Sequence, residues 1–236
     1  MDQILEEQMI RGAAEMGVSL SPEQVEKFGK YMDLLLEWNQ KMNLTAICEP
    51  KEIISKHFVD SLSLLTCGIE PGTKMIDVGT GAGFPSVPLL IARPDLSVTM
   101  MDSLRKRLTF LEAVLEELNI TAELVHMRAE DGGHDLAFRE QFDVATARAV
   151  ANLSTLSEYC LPFVKKGGRF LAMKGDAQEE IKEAARALSL LGGKEEKTTV
   201  VAFDDWTHRI VIIKKVSTTP SKYPRKAGKP AKEPLK

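Results

Sequence analysis

The chain has few of the clustered residues that carry covalent or metal chemistry. Its three cysteines, Cys48, Cys67 and Cys160, form neither a disulfide framework nor a zinc-ligand spacing, so a reducing compartment, the cytoplasm, is expected. No His, Cys, Asp and Glu cluster has metal-ligand spacing, and no metal is expected. A Gly-x-Ser-x-Gly nucleophile elbow is absent. No lysine lies between positions 75 and 105, which excludes a Gly-Lys-Ser/Thr phosphate loop there. No apolar run approaches the ~18–20 residues of a membrane span. The first residues, Met1-Asp2-Gln3-Ile4-Leu5-Glu6-Glu7, are acidic and amphipathic, unlike a secretory signal. No membrane and no obligate protein partner are expected.

What remains is the composition of an ordinary globule, 44% hydrophobic and 28% charged over 236 residues. That length suits one α/β domain with an extension, or two small domains. The net charge of −3 hides an asymmetry. Positions 214–236 hold eight of the 31 basic residues and one of the 34 acidic ones, so this end carries +7 and the rest −10. A basic segment on an acidic body suggests contact with a polyanion, and the plainer reading is a solvated tail.

Residues 1–70 read as a helical cap. Residues 1–18 are amphipathic, and Ser21-Pro22-Glu23-Gln24 supplies an N-cap, a first-turn proline and a capping-box glutamine. Val25, Phe28, Met32, Leu35, Asn39 and Met42 then follow on one helical face, with Asn39 read as a hydrogen-bonding residue. A third helix is predicted over about 50–66. It places His57 and Asp60 on one side, a spacing read as a structural hydrogen bond rather than an acid–base pair.

From 71 to 216 short strands alternate with helices. Strands are predicted at 74–78, 97–101, 122–127, 142–147 and 168–173, with helices near 84–92, 104–118, 152–165 and 176–191. Alternation of this kind implies a mostly parallel, doubly wound sheet. Thr198–Phe203 and Arg209–Val216 read as an antiparallel terminal hairpin joined by a polar loop containing Trp206. Residues 217–236 are the basic tail.

Lys74–Leu89 is the most informative stretch: a strand ending in Asp77, then Gly79, Thr80, Gly81, Ala82, Gly83 and Phe84, then a new apolar segment. Glycines permit positive φ and close approach of a ligand to the backbone, and the following helix N-terminus offers free N–H groups. Phe84 breaks the Gly-x-Gly-x-x-Gly dinucleotide fingerprint. The remaining Asp-x-Gly-x-Gly-x-Gly resembles motif I of the class I S-adenosylmethionine-dependent methyltransferases.

In an open α/β sheet, ligands sit beyond the carboxyl ends of the strands. Asp102 follows the second strand, where an acid accepts ribose hydroxyls. Beside it Ser103 and Leu104 lead into Arg105, Lys106 and Arg107, which are either solvated or face an anion. Ala129 and Glu130 follow the third strand, either at an adenine ring or as a helix-capping cluster. Arg148 follows the fourth, among small residues where nothing in the sequence neutralises it. Such a cation is a candidate to hold a cofactor carboxylate or an RNA phosphate. Lys174-Gly175 ends the fifth strand in the same layer.

Met75–Leu89, Asp102–Leu111, Val125–Glu130, Phe142–Leu153 and Lys166–Gly175 resemble, segment by segment, the glucose-inhibited division protein B family. Trp38-Asn39, Asn43-Leu44-Thr45, His57–Leu62 and Tyr223-Pro224-Arg225-Lys226-Ala227-Gly228 look like its terminal signatures. The resemblance implies an S-adenosylmethionine-dependent methyltransferase acting on N7 of a guanine in the 530 loop of bacterial 16S ribosomal RNA, with the small ribosomal subunit or its assembly intermediate as partner. It places Asp77, Gly79, Thr80, Gly81, Gly83, Phe84, Asp102, Ser103, Leu104, Ala129, Glu130 and Arg148 at the cofactor, with Arg148 as the catalytic candidate. Arg105, Lys106, Arg107, Lys222, Arg225 and Lys226 become RNA contacts.

Two absences agree with that target. There is no Pro-Cys pair for thiolate attack on a pyrimidine, and no Asp/Asn-Pro-Pro-aromatic signature of exocyclic amino methylation. One departure is Ser86, where the family usually has glycine; a small cap-forming residue there is expected to leave cofactor binding intact. Two other readings stay open, a methyltransferase of a protein or small molecule and a cofactor-binding RNA module without catalysis.

Overall fold

The computed structural model describes residues 1–148, 151–175 and 178–235. Ala149 and Val150, which follow the fourth strand in sequence, Asp176 and Ala177 at the start of the helix expected over 176–191, and Lys236 of the basic tail lie outside the described residues.

Helix α1 (Gln3–Glu15) is capped by Asp2, and α2 (Pro22–Met42) begins in the capping box expected of Ser21 and Gln24. The buried face of α2 carries Val25, Phe28, Tyr31, Met32 and Leu35, and the helix stops where Asn43 takes the left-handed conformation. Asn39 clamps the loop that follows. Its amide donates to the Thr45 carbonyl and accepts from the Thr45 N–H, both at 2.9 Å, which is the hydrogen-bonding role expected of it.

The single helix expected over 50–66 is helical but not uniform. A turn of α3 (Pro50–Ile53) passes into a π-helical segment (Ile54–Val59), then α4 (Asp60–Leu62) and a 3₁₀ segment (Ser63–Cys67). The π segment contains His57. Such insertions are frequent at functional sites because they turn side chains off the regular helical face.

The strands are β1 (Lys74–Val78), β2 (Ser97–Asp102), β3 (Glu123–His126), β4 (Phe142–Arg148), β5 (Val164–Lys174), β6 (Gly193–Phe203) and β7 (Trp206–Lys215). They form one sheet in the order β3-β2-β1-β4-β5-β7-β6. The first five are parallel; β7 runs antiparallel to β5 and to β6. Trp206 does not lie in a loop as expected. It opens β7 opposite Phe203, and Asp204-Asp205 make the turn, with Asp204 at φ 49°. The hairpin extends further than its apolar runs because β6 is an edge strand, where Lys194, Glu195, Glu196 and Lys197 face water.

Both sheet faces are covered. Alternate residues Met75, Val144, Leu171 and Ile212 join the N-terminal helices, α5 (Ser86–Ala92) and α6 (Arg105–Leu118) in one core. Ile76, Ala145, Phe170 and Val211 face the opposite core with α8 (Leu153–Cys160), α9 (Gln178–Leu191) and Tyr223. Residues 1–70 therefore share their core with the sheet. Phe28, Tyr31 and Phe58 are fully buried and form an aromatic cluster reaching Phe84. Truncating one such ring to alanine typically costs about 3–5 kcal/mol. Among the described residues no helix is long and apolar enough to cross a membrane.

Candidate active site

A cleft of about 610 Å³ opens beyond the carboxyl ends of β1, β2, β3 and β4, within the size range of cofactor sites. Its floor is the glycine turn. Gly79, Gly81 and Gly83 have φ values of 75°, 62° and 94°, and the amides of Gly79 and Thr80 donate to the Met101 carbonyl at 2.8 and 3.1 Å, tying the turn to β2. A Cβ at Gly83 would lie 2.7 Å from Val87 and 2.8 Å from Leu111, so close packing as well as φ demands glycine. At Gly81 a Cβ would meet only the Gly79 carbonyl, at 3.9 Å. That open side faces the cleft, the cradle a cofactor backbone contact requires.

Asp77 lies beneath the turn and does not line the cleft. Its Oδ2 accepts hydrogen bonds from Thr80 Oγ1 at 2.7 Å and Ser86 Oγ at 2.8 Å, and its buried Oδ1 has no partner among the described residues. Burial pushes its pKa up to about 7, against the opposing pull of those two hydroxyls. Ser86 therefore supports Asp77 rather than capping α5, whose N-cap is Pro85. From the other side, Tyr31 Oη donates to the Ala82 carbonyl at 2.5 Å.

Asp102 is 2% exposed and organises the second wall. Its Oδ2 accepts from the Gly81 N–H at 3.0 Å and from Arg107 Nη1 at 3.2 Å, and Oδ1 accepts from the Leu104 N–H at 2.8 Å. A carboxylate has about four acceptor sites, so capacity remains for a hydroxyl. Ser103 lines the cleft beside it. The Leu104 side chain points outward, and Gly83 contributes through packing only. Of the three cations that open α6, Arg107 faces the cleft, Arg105 pairs with Glu112 and Lys106 is exposed.

The third wall is α7 (Ala129–Gly132). Glu130 is buried at its first turn, and its Oε1 accepts from the Gly228 N–H at 2.8 Å. Gly228 and Ala231, far along the chain, line the same cleft together with Met127 and Tyr159.

Arg148 requires a correction. The sequence shows no group that neutralises it, yet its side chain is only 16% exposed and is held through both terminal nitrogens. Nη1 donates to Asp60 Oδ2 at 2.9 Å and to the Lys56 carbonyl at 3.0 Å, Nη2 contacts His57 Nδ1 at 3.0 Å, and the guanidinium lies 4.8 Å over the Phe84 ring. His57 Nδ1 lies 3.0 Å from both Arg148 Nη2 and the Lys56 carbonyl; arginine only donates, so while that contact holds Nδ1 accepts and the proton sits on Nε2, 2.8 Å from Thr45 Oγ1. Burial, followed by the Arg148 charge, lowers the His57 pKa to about 4 and keeps the ring neutral, stacked 4.4 Å from Phe84. His57 and Asp60 thus do not bond to each other; both converge on Arg148. The other oxygen of Asp60 lies 2.7 Å from His208 Nδ1, with the ring angled off a straight hydrogen bond.

Arg225 also meets a finding against its expected role. The sequence places it at RNA, but its guanidinium is held by Glu158 at 2.7–3.1 Å, and the Glu158 side chain is 0% exposed. Lys222 lies 5.3 Å over the Tyr223 ring, and Lys226 is exposed. Among the described residues no cluster of three or more His, Cys, Asp or Glu could hold a metal.

Five parallel strands with an antiparallel terminal pair, a glycine turn after β1 and a carboxylate after β2 on one cleft define a class I, Rossmann-like methyltransferase, and the cleft fits S-adenosylmethionine. A methyltransferase from Pyrococcus furiosus has this fold at a TM-score of 0.56 and 16% identity, covering 81% of this chain and 99% of that one. An S-adenosylmethionine-dependent O-methyltransferase from Thermotoga maritima gives 0.55 and 17%, covering 78% and 71%. The chain belongs to the rRNA small subunit methyltransferase G family, whose profile matches residues 24–209. It is 51% identical over 230 residues to ribosomal RNA small subunit methyltransferase G of Acetivibrio thermocellus, covering 96% of this chain and 95% of the relative. The same protein of a Thermoanaerobacter species is 53% identical over 234 residues, covering 97% and 98%.

Proposed function

We propose that this protein transfers a methyl group from S-adenosylmethionine to N7 of a guanine in the 530 loop of bacterial 16S ribosomal RNA, within the small ribosomal subunit or an assembly intermediate of it, in the cytoplasm. The observation that carries the reading is full-length identity of about half to relatives of that name, in a chain whose glycine turn, Asp102 and Glu130 converge on one cleft.

When bound, the cofactor supplies an electrophilic methyl on a sulfonium sulfur. Guanine N7 attacks with a lone pair and loses no proton, so alignment and electrostatics suffice and no general base is required. The residues fit such a reaction. Thr80 and Gly81 would receive the cofactor, Asp102 would take its ribose hydroxyls and Glu130 its base. His57 is neutral and both its ring nitrogens have partners. Asp60 neutralises Arg148, so the pair adds no net charge to a cleft that would receive a cationic cofactor. Among the described residues Arg148 has no partner for its Nε–H and one Nη2–H, which would be available to a cofactor carboxylate or an RNA phosphate.

The test is incubation with methyl-labelled cofactor and small-subunit RNA or particles from cells lacking this methylation. Label at guanine N7 is expected. Label in protein or small molecules but not RNA overturns the reading, and cofactor binding without transfer favours a non-catalytic RNA module.

A further inference from the structure

The basic segment after β7 does not trail into solvent. Tyr223 and Pro230 are buried. His134 Nε2 contacts the Pro224 carbonyl at 2.7 Å, and Arg139 donates to the Tyr223 carbonyl at 2.9 Å. A Cβ at Gly133 would lie 2.7 Å from Pro224, so the segment is seated closely against the end of α7. Its strongest attachment is Arg225, whose backbone N–H and guanidinium both bind Glu158 and whose Nη2 also donates to the Glu233 carbonyl at 2.8 Å. Thr155, one turn earlier on α8, donates to the Pro230 carbonyl at 3.1 Å.

Both ends of this attachment touch the cleft. Glu158 precedes Tyr159, which lines it; Gly228 and Ala231 line it from the other side, and Gly228 holds the Glu130 carboxylate. A buried, forked arginine–carboxylate pair is more than a solvated tail needs. Removing a single partner would leave the other charge buried and unpaired.

We infer that residues 223–233 form a wall of the cofactor cleft, with Arg225, Glu158 and Gly228 as positioning residues that set Glu130 for the adenosyl moiety. This rests on the methyltransferase reading. It gives the basic end of the chain a function in holding cofactor, separate from any contact of its exposed lysines with RNA.

The experiment uses the full chain. S-Adenosylhomocysteine is titrated calorimetrically into the wild type, the double variant Arg225→Gln/Glu158→Gln, which leaves no buried unpaired charge, and Arg225→Lys. The double variant is expected to bind at least tenfold more weakly while its affinity for small-subunit RNA stays within twofold. Arg225→Lys, which keeps the charge but loses the fork, is expected to fall between. In the wild type the same ligand is expected to slow hydrogen exchange at the Gly228 amide and tryptic cleavage after Lys226, a measurement that needs no variant. Unchanged ligand affinity in the double variant, exchange at Gly228 indifferent to ligand, or loss of RNA affinity alone overturns the inference. Failure of the wild type to bind the ligand at all overturns the methyltransferase reading instead.

Discussion

Arg148 and Asp60 stand 88 positions apart in the chain and 2.9 Å apart in the fold. The helical N-terminal region thereby supplies the counter-ion for the arginine that β4 presents to the cleft. Asp60→Asn keeps an acceptor but removes the charge, leaving a guanidinium in a largely buried site. The expected result is a fall in kcat of more than tenfold and a loss of stability on the order of 2 kcal/mol or more, read by single-turnover methylation and denaturant titration. Full activity would show that Arg148 works without its partner.

Tyr31→Phe removes one hydroxyl and keeps the aromatic packing. The hydrogen bond to the Ala82 carbonyl in the glycine turn is lost, at about 1 kcal/mol. A melting point lowered by about 2–4 °C and a several-fold weaker cofactor affinity are expected. A change in stability with no change in affinity would mean that the turn holds its shape without Tyr31.

Asp77 and His57 oppose each other in their effect on stability against pH. With its folded pKa raised to about 7, Asp77 stabilises the fold most below the unfolded carboxylate value, and that contribution fades as pH rises through 7. His57, lowered to about 4, contributes fully above 6.5, and its contribution is lost as pH falls toward 4. Between pH 5 and 7 each amounts to on the order of 2 kcal/mol, so they nearly cancel and the wild-type curve is expected to be flat. Asp77→Asn removes one side of the balance, and the variant's stability is expected to climb with pH over that interval. A flat curve for the variant as well would place the Asp77 pKa in the ordinary range.

Exposed Lys106, Lys222 and Lys226 are the lysines of the expected RNA set, and none has the buried pairing seen at Arg225. Replacing each by alanine is expected to weaken binding to small-subunit RNA uniformly and to reduce the slope of log affinity against log salt by about one. An unaltered slope would remove that lysine from the interface.

The parallel sheet, its antiparallel terminal pair and the glycine turn were legible because they rest on local signals, apolar runs and turn residues, whereas the order of the strands across the sheet was not. Asp102 and Glu130 could be placed by counting from one strand end to the next. Tyr31 could not, since nothing in a helical stripe distinguishes a core tyrosine from one that reaches the Ala82 carbonyl. The partners of Arg148 were hidden for a related reason. Spacing exposes neighbours three or four apart on a helix, whereas Asp60 and His57 reach Arg148 through tertiary packing. The charge count misled at Arg225, because a count of basic residues does not show which one is matched by a buried acid such as Glu158.

The hairpin edge offers one practical consequence. Trp206 stacks on His208 with ring centroids 4.8 Å apart and planes 14° from parallel, and His208 in turn faces the carboxylate that holds Arg148. A single imidazole therefore separates an indole from the charge network of the cleft. With only one other tryptophan in the chain, Trp38 against Phe110, the ultraviolet emission of the unlabelled protein provides an optical gauge of what happens at Arg148.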